Sequence, residues 1–182
     1  MLNSFWRYPK NTWFDGEDHG EEILLVLRRH LITNLDWIFV AILLILTPFF
    51  ANAILVFLNA DTHAVFAPPF VFIFMLFWFL FTFGFVFENF INWFFNVYIV
   101  TNKRIVDMDF HGILFRNISE ATLANVEDVT HTVSGTLQVV FNYGDVIVQT
   151  AGEQREFDFE SVPSPARVQD IISDLVAQRR HP

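Results

Sequence analysis

The chain contains no cysteine, which excludes disulfide bonds, thiolate metal sites and cysteine nucleophiles. Basic residues are also scarce: eleven lysines and arginines stand against twenty acidic residues, for a net charge of −9. Nucleic-acid binding needs a basic surface that displaces counterions from phosphates, so this balance argues against a nucleic-acid partner. It also argues against strong generic adhesion to anionic lipid.

Residues 37–96 have no lysine or arginine at all and only two acidic residues. They contain two uncharged runs, Trp37 to Leu58 and Phe70 to Phe87. At about 1.5 Å per residue, a helix of either length crosses or nearly crosses a hydrocarbon layer of roughly 30 Å. In lipid a helix satisfies its own backbone hydrogen bonds, which an isolated strand does not. The sequence therefore predicts two transmembrane helices, at about 37–58 and 68–90.

Basic residues flank this apolar region only on its outer sides, at Arg28, Arg29, Lys103 and Arg104, and the connection Asn59–Pro69 has none. The positive-inside rule then places both termini in the cytoplasm and the connection outside. No small-residue cleavage pattern precedes the first run, so we expect no removable signal peptide.

The residues before the first span are expected to form two segments. Residues 1–20 mix aromatics with glycine and proline without a sustained period, which predicts an irregular arm. From Glu21 the segment EEILLVLRRHLITNLDW has acidic residues in its first turn and basic residues later. This pattern favours a juxtamembrane helix. Residues 21–96 would thus comprise that helix and both transmembrane helices.

Residues 97–182 change to short runs rich in β-branched and aromatic residues, separated by turn signals. About seven antiparallel strands in a barrel or sandwich are predicted, among them one at TLQVVFN. Ser164 and Pro165 then suit the start of a closing amphipathic helix at about 164–180. No glycine, proline or serine separates Trp93 from Val97, so the second span should pass directly into the first strand. The predicted fold is a transmembrane helical hairpin followed by an α+β domain.

The sequence resembles the bacterial membrane-anchored PH-like domain family, the YdbS-like or DUF304 group. The segments that carry the resemblance are YIVTNKRIVDMDFHGILFRN and, after it, NVEDV, GTLQVV, GDVIVQTAG and VPSPARVQDII. The two spans and the polar entry EEILLVLRRH are also similar to that group. The resemblance implies a cytoplasmic PH-like barrel tethered to the bacterial inner membrane, and it implies little chemistry.

No metal, cofactor or catalytic constellation is expected. Asp107, Asp109 and His111 alternate and would share one face of a strand, a spacing that could hold a metal. We interpret them instead as the water-facing side of that strand, with Val106, Met108 and Phe110 filling the other face. No nucleophile elbow, zinc-helix or P-loop motif occurs, so we expect a protein that is not an enzyme.

The expected function is a non-catalytic scaffold or binding module at the cytoplasmic face of the membrane. Its partners would be the lipid bilayer and another membrane or cytoplasmic protein, with homo-oligomerisation left open. Candidate lipid-headgroup contacts are Lys103, Arg104, Arg28 and Arg29, since basic residues near a leaflet attract anionic lipid. The alternative is a subunit of an oligomeric pore or transport assembly, which would need Asn52, Thr82 and Glu88 turned inward.

Overall fold

A computed structural model of the chain describes residues 4–9, 16, 18–57, 68–111, 115–151 and 156–180. The chain forms two compact units. One is helical and comprises Asn34–Ile91. The other, which we call the β-domain, combines Met1–Thr33 with Asn92–Pro182. The helical unit is therefore an insertion in the sequence of the β-domain.

The helical unit contains the two predicted long helices. Helix α1 spans Leu35–Phe57 and follows a 3-10 turn at Leu31–Asn34, and helix α2 spans Pro68–Phe95. Both are long and apolar enough to cross a membrane. The connection between them lies at residues 58–67, outside the described residues.

Polar side chains of the helical unit bond to their own helix, as the hydroxyl of Thr47 does to the carbonyl of Leu43 at 2.7 Å. The hydroxyl of Thr82 donates to the carbonyl of Trp78 at 2.9 Å, and the side-chain amide of Asn89 donates to the carbonyl of Phe85 at 2.8 Å. Such bonds to the preceding turn satisfy a polar side chain inside an apolar helix. The side chain of Asn52 lies outside the described residues.

The β-domain contains two antiparallel sheets and two helices. The first sheet has five strands in sequence order, β1 to β5, and the second has three, β6 to β8. Their bounds are β1 Phe5–Arg7, β2 Ile23–Leu27, β3 Val97–Thr101, β4 Arg104–His111, β5 Phe115–Thr122, β6 Val126–Thr132, β7 Tyr143–Thr150 and β8 Glu156–Pro163. A short helix α3, Thr136–Phe141, connects β6 to β7, and helix α4, Pro165–Arg180, closes the chain.

The predicted helix from Glu21 is wrong in its first part, because Ile23–Leu27 is a strand between β1 and β3. Leu25 and Leu27 face the core, and Leu24 and Val26 on the other face are buried as well. A strand that is apolar on both faces has no two-residue period, so its pattern does not distinguish it from a helix.

The prediction of an irregular arm at residues 1–20 is wrong at Phe5–Arg7. Phe5–Arg7 forms strand β1 and pairs with Leu25–Leu27. A three-residue strand is shorter than the pattern that predicts strands from sequence. Residues 10–15 and 17, which belong to the same predicted arm, lie outside the described residues.

The strand predicted at TLQVVFN is also wrong, because Thr136–Phe141 is helix α3. Strands β6 and β7 pair directly, with Thr132 opposite Asp145, so α3 lies within their connection. With no neighbouring strand to pair with, this segment satisfies part of its backbone through helical hydrogen bonds. Six strands are therefore described within 97–182, and two more precede the helical unit.

The core lies between the two sheets and under α4. Tyr98 from the first sheet stacks on Phe159 of the second, with ring centroids 4.6 Å apart, and Ile172 of α4 is fully buried beside them. Aromatic pairs of this kind contribute beyond the apolar area they bury. Two antiparallel sheets closed by a C-terminal helix fit the PH-like α+β fold.

The direct passage from helix to sheet is confirmed: α2 ends at Phe95 and β3 begins at Val97.

Candidate functional site

Arg104, one of the four basic residues predicted to contact lipid headgroups, is bound inside the β-domain. Its guanidinium holds the carboxylate of Glu21 through two hydrogen bonds, of 3.0 Å from Nε and 2.9 Å from Nη2. A further bond of 2.7 Å reaches Glu120. The side chain of Glu21 is fully buried. Arg104 therefore ties the chain before β2 to the turn between β3 and β4.

Glu21 remains ionised in this position. Burial raises the pKa of its carboxyl, but hydrogen bonds from Arg104, the backbone N–H of Asp18 and the hydroxyl of Thr101 outweigh it and lower the pKa to about 2. The bidentate geometry and the additional donors fit a carboxylate that accepts at both oxygens.

Lys103 lies at the surface of the β-domain. Its ammonium lies 3.8 Å from the carboxylate of Asp18 and donates to the carbonyl of His19 at 3.1 Å. Its side chain is 35% exposed. These surface contacts are weak, so Lys103 can exchange them for an anionic partner.

Arg28 lies between two aromatic rings. Its guanidinium carbon is 4.5 Å from the ring centroid of Phe94 and 5.6 Å from that of Trp6. Burial lowers the pKa of this guanidinium, which stays charged because arginine titrates far above neutral pH. Arg28 thus joins strand β1 to the last turn of α2 by cation–π contacts.

Arg29 lies among carboxylates. It forms an ion pair with Glu160 of β8, and its backbone carbonyl accepts a bond of 3.0 Å from the indole of Trp93. Asp107 and Asp109 of β4 interact electrostatically with Arg29, and Asp158 of β8 interacts with Asp107. We call Arg29, Asp107, Asp109, Asp158 and Glu160 the Arg29 cluster.

Asp107 corrects the expectation that its strand face meets water. It pairs in register with Tyr98, whose side chain lies in the core, so Asp107 points to the interior and is buried. Its Oδ1 has no hydrogen-bond partner among the described residues. Burial, followed by the charges of Asp109 and Glu160, raises the pKa of Asp107 to about 7. Val106 on the opposite face is buried too, so β4 is covered on both faces there.

The Arg29 cluster can change charge near neutral pH, since Asp107 takes up a proton there. Within the described residues, no group of three or more histidine or acidic side chains is arranged to hold a metal ion. The side chain of His111 lies outside the described residues. The chemistry available to the cluster is therefore charge pairing and proton uptake.

The structure thus separates the four predicted cations. Arg104 and Arg29 bind carboxylates, Arg28 contacts aromatic rings, and Lys103 makes only surface contacts. Residue spacing could not reveal the partners Glu21 and Glu160, which lie 83 and 131 positions away in sequence from Arg104 and Arg29. The alternation of Asp107 with Asp109 was the one available signal for the cluster.

Residues 30–176 match the family model described as bacterial PH domain. No curated protein matches the chain. A solved structure similar to it is the crystal structure of a DUF1696 family protein with a pleckstrin-homology domain from Shewanella loihica PV-4. That structure shares 14% identity and a TM-score of 0.37, with 44% of this chain and 70% of the other covered.

Proposed function

Because the chain belongs to the bacterial PH domain family, we propose that it is a membrane-anchored binding module without catalytic activity. In this proposal α1 and α2 cross the bacterial inner membrane, and the β-domain lies at its cytoplasmic face. The family supports a binding role, since PH domains are generally non-catalytic binding modules.

The exposure of α2 is the observation that carries the membrane proposal. Phe70 and Phe72 are 70% and 71% exposed, and other large apolar side chains along this helix are similarly uncovered, including Phe77, Phe81 and Phe83. Soluble monomers rarely expose contiguous apolar patches larger than a few hundred Å². A bilayer would cover this surface without any further protein.

The sheet supports a hairpin that crosses twice. Strand β2 precedes α1 and pairs directly with strand β3, which follows α2. The chain before α1 and the chain after α2 must then lie on the same side of any membrane that these helices cross. Arg28, Arg29, Lys103 and Arg104 lie on that side, which by the positive-inside rule is the cytoplasm.

The partner that we propose is a protein, either a second membrane protein or a cytoplasmic one; a second copy of this chain is included. Lipid headgroups are a weaker candidate for specific recognition, because Arg104 and Arg29 bind carboxylates within the domain. Lys103 alone would contribute on the order of 1 kcal/mol near an anionic leaflet. The pore alternative gains no support from Thr82, whose hydroxyl bonds to its own helix.

Cysteine labelling in intact cells tests the topology, because the chain has no cysteine of its own. Thr62→Cys is expected to react with an impermeant maleimide from outside. Gln178→Cys, on the exposed side of α4, is expected to react only after lysis. Reaction of Gln178→Cys in intact cells, or release of the protein from membranes by alkaline carbonate, would contradict the proposal.

A further inference from the structure

Helix α3 and the loops beside it form an uncharged projection between β6 and β7. Residues 132–144 contain no lysine, arginine, aspartate or glutamate. No side chain of α3 is buried. The large apolar side chains of this segment are exposed, with Val140 at 69%; we call them the α3 patch: Val133, Leu137, Val139, Val140 and Phe141.

The α3 patch is held in place by its surroundings. Asn142 ends the helix in the left-handed conformation, at φ 53°, and its N–H donates to the carbonyl of Gln138. The carbonyl of Asn142 accepts a bond of 2.8 Å from the N–H of Ser164. At Gly144 a Cβ atom would lie 2.4 Å from the carbonyl oxygen of Thr132, so glycine is needed for this close approach. An apolar helix is thus fixed at the surface and does not fold back onto the core.

The α3 patch lies at the end of the β-domain where the chain leaves for α1. Tyr143, two residues after α3, stacks on the imidazole of His30, with centroids 5.2 Å apart. His30 directly precedes the turn that leads into α1. The neighbouring carbonyl of Arg29 accepts the indole bond from Trp93, in the last turns of α2. All these contacts lie within the β-domain.

We propose that the α3 patch is a third membrane contact, which seats in the interfacial layer of the membrane that α1 and α2 cross. This inference rests on the proposed membrane anchoring. The occupant is lipid because the patch is charge-free and lies at the end of the β-domain from which the chain leaves for both helices. Exposed apolar side chains that reach the boundary between headgroups and acyl chains gain free energy from burial there.

The chemistry of the α3 patch predicts how it responds to lipid composition. Apolar burial drives its contact, so neither anionic lipid nor salt should change it. A contact made by Lys103 would weaken with added salt. The two modes of attachment are therefore separable in one set of vesicles.

The test uses the full chain with single cysteines that carry the fluorophore NBD, reconstituted into phosphatidylcholine vesicles. Val140→Cys reports on the α3 patch, Phe81→Cys on the exposed face of α2, and Gln178→Cys on a polar surface of α4. Each sample is quenched with lipids that carry a nitroxide high on the acyl chain, and separately with aqueous iodide. The series is repeated with one quarter phosphatidylglycerol and at high salt.

We expect nitroxide lipids to quench the label at positions 140 and 81 and to leave position 178 unchanged. Iodide should quench only position 178, and phosphatidylglycerol and salt should alter none of these results. Quenching at position 81 without quenching at 140 would overturn the α3 contact while membrane anchoring stands. Shielding of position 140 from both quenchers would overturn it in favour of a protein occupant. Absence of nitroxide quenching at both position 140 and position 81 would overturn the membrane proposal itself.

Discussion

The indole Nε1 of Trp78 in α2 donates a hydrogen bond of 2.8 Å to the backbone carbonyl of Leu44 in α1. That carbonyl lacks the usual donor four positions later in its own helix, because this residue is Pro48, which has no N–H. A neighbouring helix commonly satisfies a carbonyl that proline has freed in an apolar segment. Trp78 therefore replaces the helical hydrogen bond that Pro48 removes from α1.

Because of this bond, the loss of stability caused by substituting Trp78 should depend on whether residue 48 is proline. Trp78→Phe should destabilise the helical hairpin by about 1 kcal/mol through the lost hydrogen bond, in addition to the loss from the smaller ring. In a Pro48→Ala background the helix supplies its own donor to Leu44, so the same substitution should cost less. Unfolding in mixed SDS micelles measures the four proteins of this double-mutant cycle. Equal costs in both backgrounds would show that the two sites are independent.

The pair of Glu21 and Arg104 should be essential to the β-domain. Glu21→Gln leaves the guanidinium without its buried carboxylate and should lower the free energy of unfolding by about 3 kcal/mol. Glu120→Gln removes the exposed partner of the same arginine and should cost less than about 1 kcal/mol. Urea unfolding in detergent, followed by hydrogen exchange of the β2 and β3 amides, compares them. Similar losses for both variants would refute the special role of Glu21.

The same pair predicts sensitivity to acid. The pKa of Glu21 is about 2 in the folded chain against an ordinary value of 4.5. Its stabilising contribution is complete above pH 4.5 and is lost as the pH falls toward 2. Glu21→Gln should therefore flatten the acid limb of the stability profile of the β-domain, whereas Glu120→Gln should leave that limb in place.

For Asp107 we expect the opposite dependence of stability on pH. Its folded pKa of about 7 exceeds the ordinary 3.8, so the folded chain holds a proton that the unfolded chain has released. Stability should fall as the pH rises from 4 to 7 and then level off. Asp107→Asn should remove this fall and raise stability at pH 8 by about 1–2 kcal/mol, since a buried charge is removed. Asp109→Asn is the control, and an unchanged profile in Asp107→Asn would contradict this prediction.

The family match begins at residue 30, but the β-domain needs the strands before it. A chain that starts at residue 30 lacks β1 and β2, which exposes the edge of β3 and uncovers Tyr98. We expect this truncation to aggregate when extracted from membranes, because an open apolar edge pairs with other chains. Removal of residues 1–3, which leaves strands β1 and β2 in the chain, serves as the matched control. Size-exclusion chromatography in detergent distinguishes the two outcomes.

The sequence predicted those elements whose patterns are local. Helices α1 and α2 follow from uncharged runs, and α4 follows from Ser164, Pro165 and a single apolar stripe. The prediction failed at Ile23–Leu27 and Thr136–Phe141, where the deciding factor is the presence or absence of a partner strand. Strand β2 finds its partner across the whole inserted hairpin, and no residue near it records that pairing.

The basic residues of the candidate site could be predicted from the sequence, but their partners could not, because those partners lie far away in the chain. The segment TNKR suggested a basic turn that faces lipid. In the structure the side chains of Thr101 and Arg104 bind Glu21, and the side-chain oxygen of Asn102 accepts a hydrogen bond from the N–H of Glu22. This turn therefore fastens the chain that enters β2. Lys103 of this turn, whose side chain is 35% exposed, makes only surface contacts.

The insertion of the helices between β2 and β3 also sets an order of events during synthesis. Translation at about 5–20 residues per second places several seconds between the emergence of β2 and that of β3. Throughout that interval the ILLVL strand has only the three residues of β1 beside it, and its free edge is open to other chains. The first sheet is completed only when both helices have been made and β3 arrives. Under the membrane anchoring proposed above, delayed insertion of the hairpin would prolong the time in which the earliest strands are unpaired. Chaperones that bind apolar segments at the ribosome are expected to act on the chain at that stage.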